Sequence, residues 1–198
     1  MSIMIISIIS YFLGNISASY LIAKYKGGID IRKHGSGNAG ATNVLRTLGA
    51  KAGLLAFAGD ALKGILAVIL GKLIGGEDGQ IAAGIFVVIG HNWPILLGFK
   101  GGKGIATTIG VMIAINPYIV AAIVPIGLII IFITKYVSLA SILGMAIFPI
   151  TMLMTKQPVK LVLFSFLLSA MAIYRHKSNI KKLIGGTEAK IGDKVKKY

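Results

Sequence analysis

Apolar runs about as long as a bilayer is thick recur through this chain, and few folds accommodate them. They cover Ser2 to Ala23, Ala52 to Ile74, Ile81 to Leu97, Tyr118 to Thr134, Val137 to Met154 and Val159 to Ile173. A helix needs about 20 such residues to cross a hydrocarbon core. Inside that core every backbone polar group must be satisfied internally, so a run of this length reads as a helix. Only 14% of the 198 residues are charged and 56% are hydrophobic, against about 25% charged in a soluble domain. The expectation is an all-α integral membrane protein, one bundle over residues 1–198. The first run lacks a positive n-region and a small-residue cleavage site, so it reads as a helix and not a signal peptide.

The number of spans turns on Asn116-Pro117. Ile105 to Ile115 is apolar but only about half a span long, and proline biases the residue before it away from helical geometry. Two helices, the first short, give seven transmembrane helices. One long kinked helix would give six and would scatter the basic loops to both sides. With seven, every Lys and Arg of the 21 except Lys63, Lys72, Lys156 and Lys160 falls on one face. Positive residues mark the cytoplasmic side. The N-terminus is then outside, and the C-terminus and glycine-rich loops are cytoplasmic. The net charge of +15 follows from this topology rule and from a lysine-rich tail, Tyr174 to Tyr198. It points to anionic headgroups and phosphorylated substrates and not to nucleic acid. No cysteine is present, which excludes disulfides and thiolate chemistry. Three histidines in distant segments argue against a zinc site, and no cofactor is expected.

Two glycine-rich loops interrupt the oil. In Gly35-Ser-Gly-Asn-Ala-Gly-Ala-Thr-Asn-Val-Leu-Arg46, three glycines let successive N–H groups converge into an anion-binding concavity. A helix opening near Thr42 would add its N-terminal N–H groups, and Arg46 a bidentate cation. The bland reading is a connector between helices. Gly35-x-Gly37-x-x-Gly40 also matches the dinucleotide fingerprint, but that needs a βαβ unit around it. The second loop, Phe99-Lys-Gly-Gly-Lys-Gly104, resembles half of a phosphate loop. It is not a Walker A motif, because Gly104 and not Ser or Thr follows Lys103. Asp60 and Lys63 sit inside the second span, one turn apart on one face. They read equally as a structural ion pair or a substrate contact. His91 alone reads as a helix–helix hydrogen bonder, and Ser138 and Ser141 as helix caps.

These residues carry a family resemblance. The chain resembles the acyl-phosphate-dependent glycerol-3-phosphate acyltransferases of bacteria, the PlsY type. The likeness lies in Ser36 to Arg46, in Gly90-His-Asn-Trp-Pro94 with Phe99 to Gly104, in Lys135 to Ser141, and in Arg175-His-Lys-Ser-Asn-Ile180 with Gly186-Thr-Glu188. It implies a multi-pass enzyme of the bacterial inner membrane, sufficient as a monomer, that moves a fatty acyl group from acyl phosphate to the sn-1 hydroxyl of glycerol 3-phosphate. It implies catalytic roles for Ser36, Asn38, Arg46, Lys103 and Asn179. Substrate contacts are expected from Gly37, Gly40, Thr42, Asn43, His91, Gly101, Gly102, Gly104, Ser141, His176 and Glu188. The His-x-x-x-x-Asp signature of thioester-using acyltransferases is absent, since Ala39, Leu96 and Lys181 stand five residues after His34, His91 and His176. Acyl phosphate is already activated, so no protein base is expected and a substrate phosphate oxygen takes the hydroxyl proton. Ser36 or Asn38 would donate to the developing oxyanion. The competing class is a transporter or flippase for a phosphorylated small molecule or lipid. Transporter sites lie near the midplane on broken helices, often with internal repeats, and no repeat is visible. The acyltransferase reading requires the separated glycine-and-cation segments to meet in one pocket.

Overall fold

The computed structural model describes residues 1–193. The basic residues Lys194, Lys196 and Lys197 of the tail lie outside them. The described residues contain nine α-helices and no strand: α1 (Ser2–Asn15), α2 (Ala18–Gly27), α3 (Ala41–Leu48), α4 (Ala50–Asn92), α5 (Ile105–Ile115), α6 (Pro117–Thr134), α7 (Val137–Met154), α8 (Val159–Arg175) and α9 (Lys177–Ile184). Short 3-10 turns cover Ile31–Lys33 and Ile95–Leu97. Ser2–Gly27, Ala50–Leu97, Pro117–Thr134 and Val137–Met154 are each long and apolar enough to cross a membrane, and the bent α8–α9 pair adds a fifth such segment. The protein is thus a multi-pass integral membrane protein. Its described residues divide into two compact units, 1–115 and 116–193.

The first unit departs from the expected spans at two places. The run from Ser2 to Ala23 is not one helix. Ile16 and Ser17 are extended, and Ser17 Oγ accepts from Tyr20 N (3.2 Å), capping a new helix. Second, α4 carries non-helical backbone at Gly75 and Gly76, where Gly76 takes φ +61°, a value glycine adopts without steric cost. The expected turn after Ile74 is therefore present but tight. The arms 50–74 and 77–92 fold back on each other. A Cβ on Gly71 would meet the Gly79 carbonyl and Ala83, and Lys63 reaches His91.

Small residues hold this unit together, as in membrane bundles where backbones approach closely. Gly14 of α1 and Gly90 of α4 leave no room for a Cβ against Val87 O and Tyr11 O. Gly110 of α5 sits on the Ala61 carbonyl, and Gly64 of α4 on that of Thr107. The 11 residues of α5 span roughly 16 Å at 1.5 Å per residue, so it is the short helix expected.

In the second unit, Asn116 caps α6, its Oδ1 accepting from Tyr118 N (3.2 Å) and Ile119 N (3.4 Å), with Pro117 in the first turn. Two separate helices, not one kinked one, flank this proline. Short turns join α6 to α7 and α7 to α8, and Ser169 Oγ donates to Met145 O at 2.6 Å. Large apolar side chains such as Leu128, Phe132 and Ile133 project outward. Met145, Phe148, Met152, Phe164 and Leu168 are buried within the unit, together with Ser165 and Ser169.

Candidate active site

The glycine-rich loop of the first unit is organised by one buried side chain. Asn43 Oδ1 accepts from Ser36 N (3.0 Å), and Nδ2 lies at donor distance from Ile31 O (3.1 Å), His34 O (2.9 Å) and Asn38 O (3.0 Å). Gly35 and Gly37 take φ +58° and +72°, so the chain curls around Asn43 as only glycine readily permits. Asn43 was expected among the substrate contacts, yet its amide is committed to the loop's own backbone. The loop delivers Gly40 to the N-terminus of α3, which has no side-chain cap. Thr42 falls in its first turn and Arg46 in its last. Ser36 and Gly37 are exposed at the rim, with Asn38, Thr42 and Arg46 half-buried behind them. The Asn38 amide lies over Gly40, where a Cβ would press on it.

The second loop packs back on the end of α4. Gly102 N donates to His91 O (3.1 Å). A Cβ at Gly101 would strike that same carbonyl, and one at Gly102 would strike the imidazole at Nε2. Gly104, at φ +81°, lies on the Asn92 amide and leads into α5. Asn92 is fully buried, and its amide has no hydrogen-bond partner among the described residues. Lys103 is half-buried between these glycines.

Arg32 ties together the 3-10 turns that precede the two loops. One guanidinium nitrogen donates to Leu97 O (2.8 Å), while Nε and Nη2 grip Asp30 at 2.9 and 2.7 Å and the group stacks on Tyr20. The hydrogen bond from Arg32 holds the Asp30 carboxyl down to about 2. Sequence reasoning assigned no role to Asp30, Arg32 or Tyr20. The Asp-x-Arg spacing, which seats a carboxylate across a short turn, was the available signal.

Asp60 and Lys63 form the ion pair (2.9 Å), and they fill the break in the first span. Asp60 accepts from Ala18 N (3.2 Å) and Ser19 Oγ (2.8 Å), while Lys63 donates to Gly14 O (2.9 Å) and Ile16 O (2.8 Å). Lys63 Nζ also meets His91 Nδ1 at 2.9 Å. His91 is therefore the interhelical hydrogen bonder read from its setting.

A second polar cluster belongs to the second unit. Glu188 Oε1 accepts from Ser138 Oγ and from Asn179 Nδ2, both at 2.7 Å. Ile191 N donates to Lys135 O (2.9 Å), closing the tail onto the α6–α7 turn. His176 is buried and its Nδ1–H donates to Ala172 O (2.7 Å). Neither serine caps α7: Ser138 reaches Glu188, and Ser141 Oγ donates back to Val137 O at 2.9 Å.

These features define a polytopic, all-helical membrane protein whose polar, glycine-rich loops gather at one end of its first unit. The comparisons with known proteins make the class specific. The family model described as glycerol-3-phosphate acyltransferase matches residues 4–186. A relative from Alkaliphilus metalliredigens named glycerol-3-phosphate acyltransferase is 53% identical over 97% of each chain. One of the same name from Clostridioides difficile is 50% identical over 98% of this chain and 97% of its own. The crystal structure of PlsY (YgiH), an integral membrane glycerol 3-phosphate acyltransferase, in its glycerol 3-phosphate form, superposes with TM-score 0.92 at 39% identity, covering 97% of this chain and 96% of the other. Its lysophosphatidic acid form gives TM-score 0.90. The chain belongs to the glycerol-3-phosphate acyltransferase family.

Proposed function

We propose that this protein transfers a fatty acyl group from acyl phosphate to the sn-1 hydroxyl of glycerol 3-phosphate, releasing lysophosphatidic acid and inorganic phosphate. The observation that carries the reading is the hydrogen bond from Arg32 to Leu97 O, which joins the turns that precede the two glycine-and-cation loops, each loop leading into a helix N-terminus. Both substrates are phosphates. Paired anion sites with Arg46 and Lys103 beside them offset the repulsion of bringing the two together. The solved relatives described as glycerol 3-phosphate and lysophosphatidic acid forms fit an acceptor and a product of this kind.

In the proposed step the sn-1 oxygen attacks the acyl carbonyl carbon and the C–O bond to phosphate breaks. Phosphate departs with the bonding pair, and the hydroxyl proton passes to a substrate phosphate oxygen. Ser36 and Asn38 donate to the carbonyl oxygen as it gains charge. Gly37, Gly40 and Thr42 line the first phosphate, and Gly101, Gly102 and Gly104 hold glycerol 3-phosphate. The family resemblance supports a catalytic role for Asn179 and substrate contacts for Ser141, His176 and Glu188. Positioning, not a protein base, supplies most of the acceleration. Seven passes, a cytoplasmic C-terminus in a bacterial inner membrane and activity as a monomer belong to the same proposal.

The test is direct. Detergent-purified protein is incubated with glycerol 3-phosphate and either palmitoyl phosphate or palmitoyl-CoA, and lysophosphatidic acid is read by mass spectrometry. Product from the phosphate alone is expected, falling about a hundredfold or more in Arg46→Ala and Lys103→Ala. Product from the thioester alone, or from neither donor, refutes the reading.

A further inference from the structure

We propose that Asp60 and Lys63 are positioning residues that act through His91, fixing it with its proton on Nε2 under the Gly101–Gly102 backbone. Lys63 Nζ lies 2.9 Å from His91 Nδ1. An ammonium has no lone pair to accept with, so the Nδ1 facing it carries a lone pair and no hydrogen, sharing the three Lys63 hydrogens with Asp60 Oδ1, Gly14 O and Ile16 O. The other possibility, an Nδ1–H aimed at Asp60 Oδ1, would span 3.5 Å, too long for a well-made hydrogen bond. The hydrogen bond made by one ring nitrogen sets the state of the other. The proton therefore sits on Nε2, the atom against which Gly102 packs. The His91 carbonyl at the same time receives Gly102 N (3.1 Å). One residue thus supports the second loop by both its ring and its backbone.

The ion pair is itself held from several sides. Asp60 is anchored to Ala18 N and Ser19 Oγ, and Lys63 to Gly14 O and Ile16 O, all around the break between α1 and α2. Both side chains are buried. The break, the ion pair and the imidazole form a continuous strut ending beneath the loop. The part of the inference that concerns turnover rests on the proposed function, in which that loop holds glycerol 3-phosphate.

Two measurements test it. The first needs no turnover: nitrogen-15 NMR of histidine-labelled protein in micelles, with signals assigned by His34→Gln and His176→Gln. His34 and His176 both place Nδ1 against backbone carbonyls, so their protons sit on Nδ1. His91 is expected to show the opposite tautomer, and to lose its Nδ1 hydrogen bond in Lys63→Met. The second is steady-state kinetics of Lys63→Met and of Asp60→Asn/Lys63→Met, the double variant removing both buried charges together. The expected result is a KM for glycerol 3-phosphate raised about tenfold, the worth of one charge-assisted hydrogen bond, with kcat and the donor KM little changed. A proton on His91 Nδ1 in the unaltered protein overturns the proposal, whether or not any variant folds. So does an unchanged acceptor KM in a folded variant, or a uniform fall in kcat with both KM values unmoved. If the tautomer is as described but the protein makes no lysophosphatidic acid, the strut stands and the proposed reaction fails.

Discussion

Replacing Asn43 separates loop architecture from ligand contact. Its Oδ1 accepts one hydrogen bond and its Nδ2 has two hydrogens to share among three carbonyls within 3.1 Å. Asn43→Ala therefore removes three hydrogen bonds, each worth about 1 kcal/mol net. Ser36 N and His34 O lie near water and regain partners from it. Ile31 is fully buried, so its carbonyl retains more of the desolvation cost, about 1–3 kcal/mol. The sum comes to about 2–4 kcal/mol. For a chain of this size that lowers Tm by roughly 4–16 °C. Asn43→Asp is the sharper perturbation. It keeps the acceptor for Ser36 N but turns an oxygen toward three carbonyl oxygens, so at neutral pH it should be less stable than the alanine variant. Thermal unfolding in one detergent, followed by tryptophan fluorescence and by retention on size exclusion, ranks the three proteins. A Tm order of Asn above Ala above Asp is expected. Asp equal to Asn, or an Ala variant of unchanged Tm, would show that the loop does not depend on this side chain.

Gly110→Ala forces a methyl onto the Ala61 carbonyl and should cost about 1–3 kcal/mol or more, seen as loss of folded protein after detergent extraction. Gly127→Ala, where the space is open, should leave the yield unchanged. Asp30 has a folded-state pKa of about 2 against an ordinary 3.8, so its contribution is complete above about pH 4 and is lost as pH falls toward 2. Asp30→Asn should flatten the part of an acid-unfolding curve that lies in that window. In the second unit, Glu188→Gln can still accept from Ser138 and Asn179 through its remaining carbonyl oxygen and should be mild. Glu188→Ala leaves Ser138 buried without that partner and should cost about 1–3 kcal/mol in thermal unfolding.

The sequence showed its turns wherever the turn chemistry is local. Asn116-Pro117 separates α5 from α6 because the asparagine caps and the proline starts a helix, and both facts lie within four residues. Gly75-Gly76 turns α4 because glycine alone readily takes φ +61° there. The opening of α3 beside Thr42 and the shortness of α5 were legible for the same reason. The break at Ile16–Ser17 was not, because its determinants lie more than 40 residues away in α4. A serine within an apolar run is unremarkable on a membrane helix. The role of Asn43 was hidden too, since a loop amide looks alike whether it serves backbone or ligand. Only the folded loop brings Ile31, His34 and Asn38 within its reach.

The break and the ion pair account for each other. Ending α1 at Asn15 leaves carbonyls without intrahelical partners, and starting α2 at Ala18 leaves N–H groups likewise. At membrane depth no water supplies them. Lys63 donates to the first set and Asp60 accepts from the second, so each charge sits where the adjoining helix end has the opposite polarity. Removing one member strands the other charge, at about 3–5 kcal/mol, and also orphans a helix end. Without the break the two charges would lack most of their hydrogen bonds. The interruption in turn lets α2 set off along the first arm of α4, with Ala18 against Gly59, before Gly28 ends it at φ +63°. The loop that Asn43 staples begins there. A pair of ionisable residues inside a span, which alone suggests a transport pathway, is here the fixture that aims the chain into its glycine-rich loop.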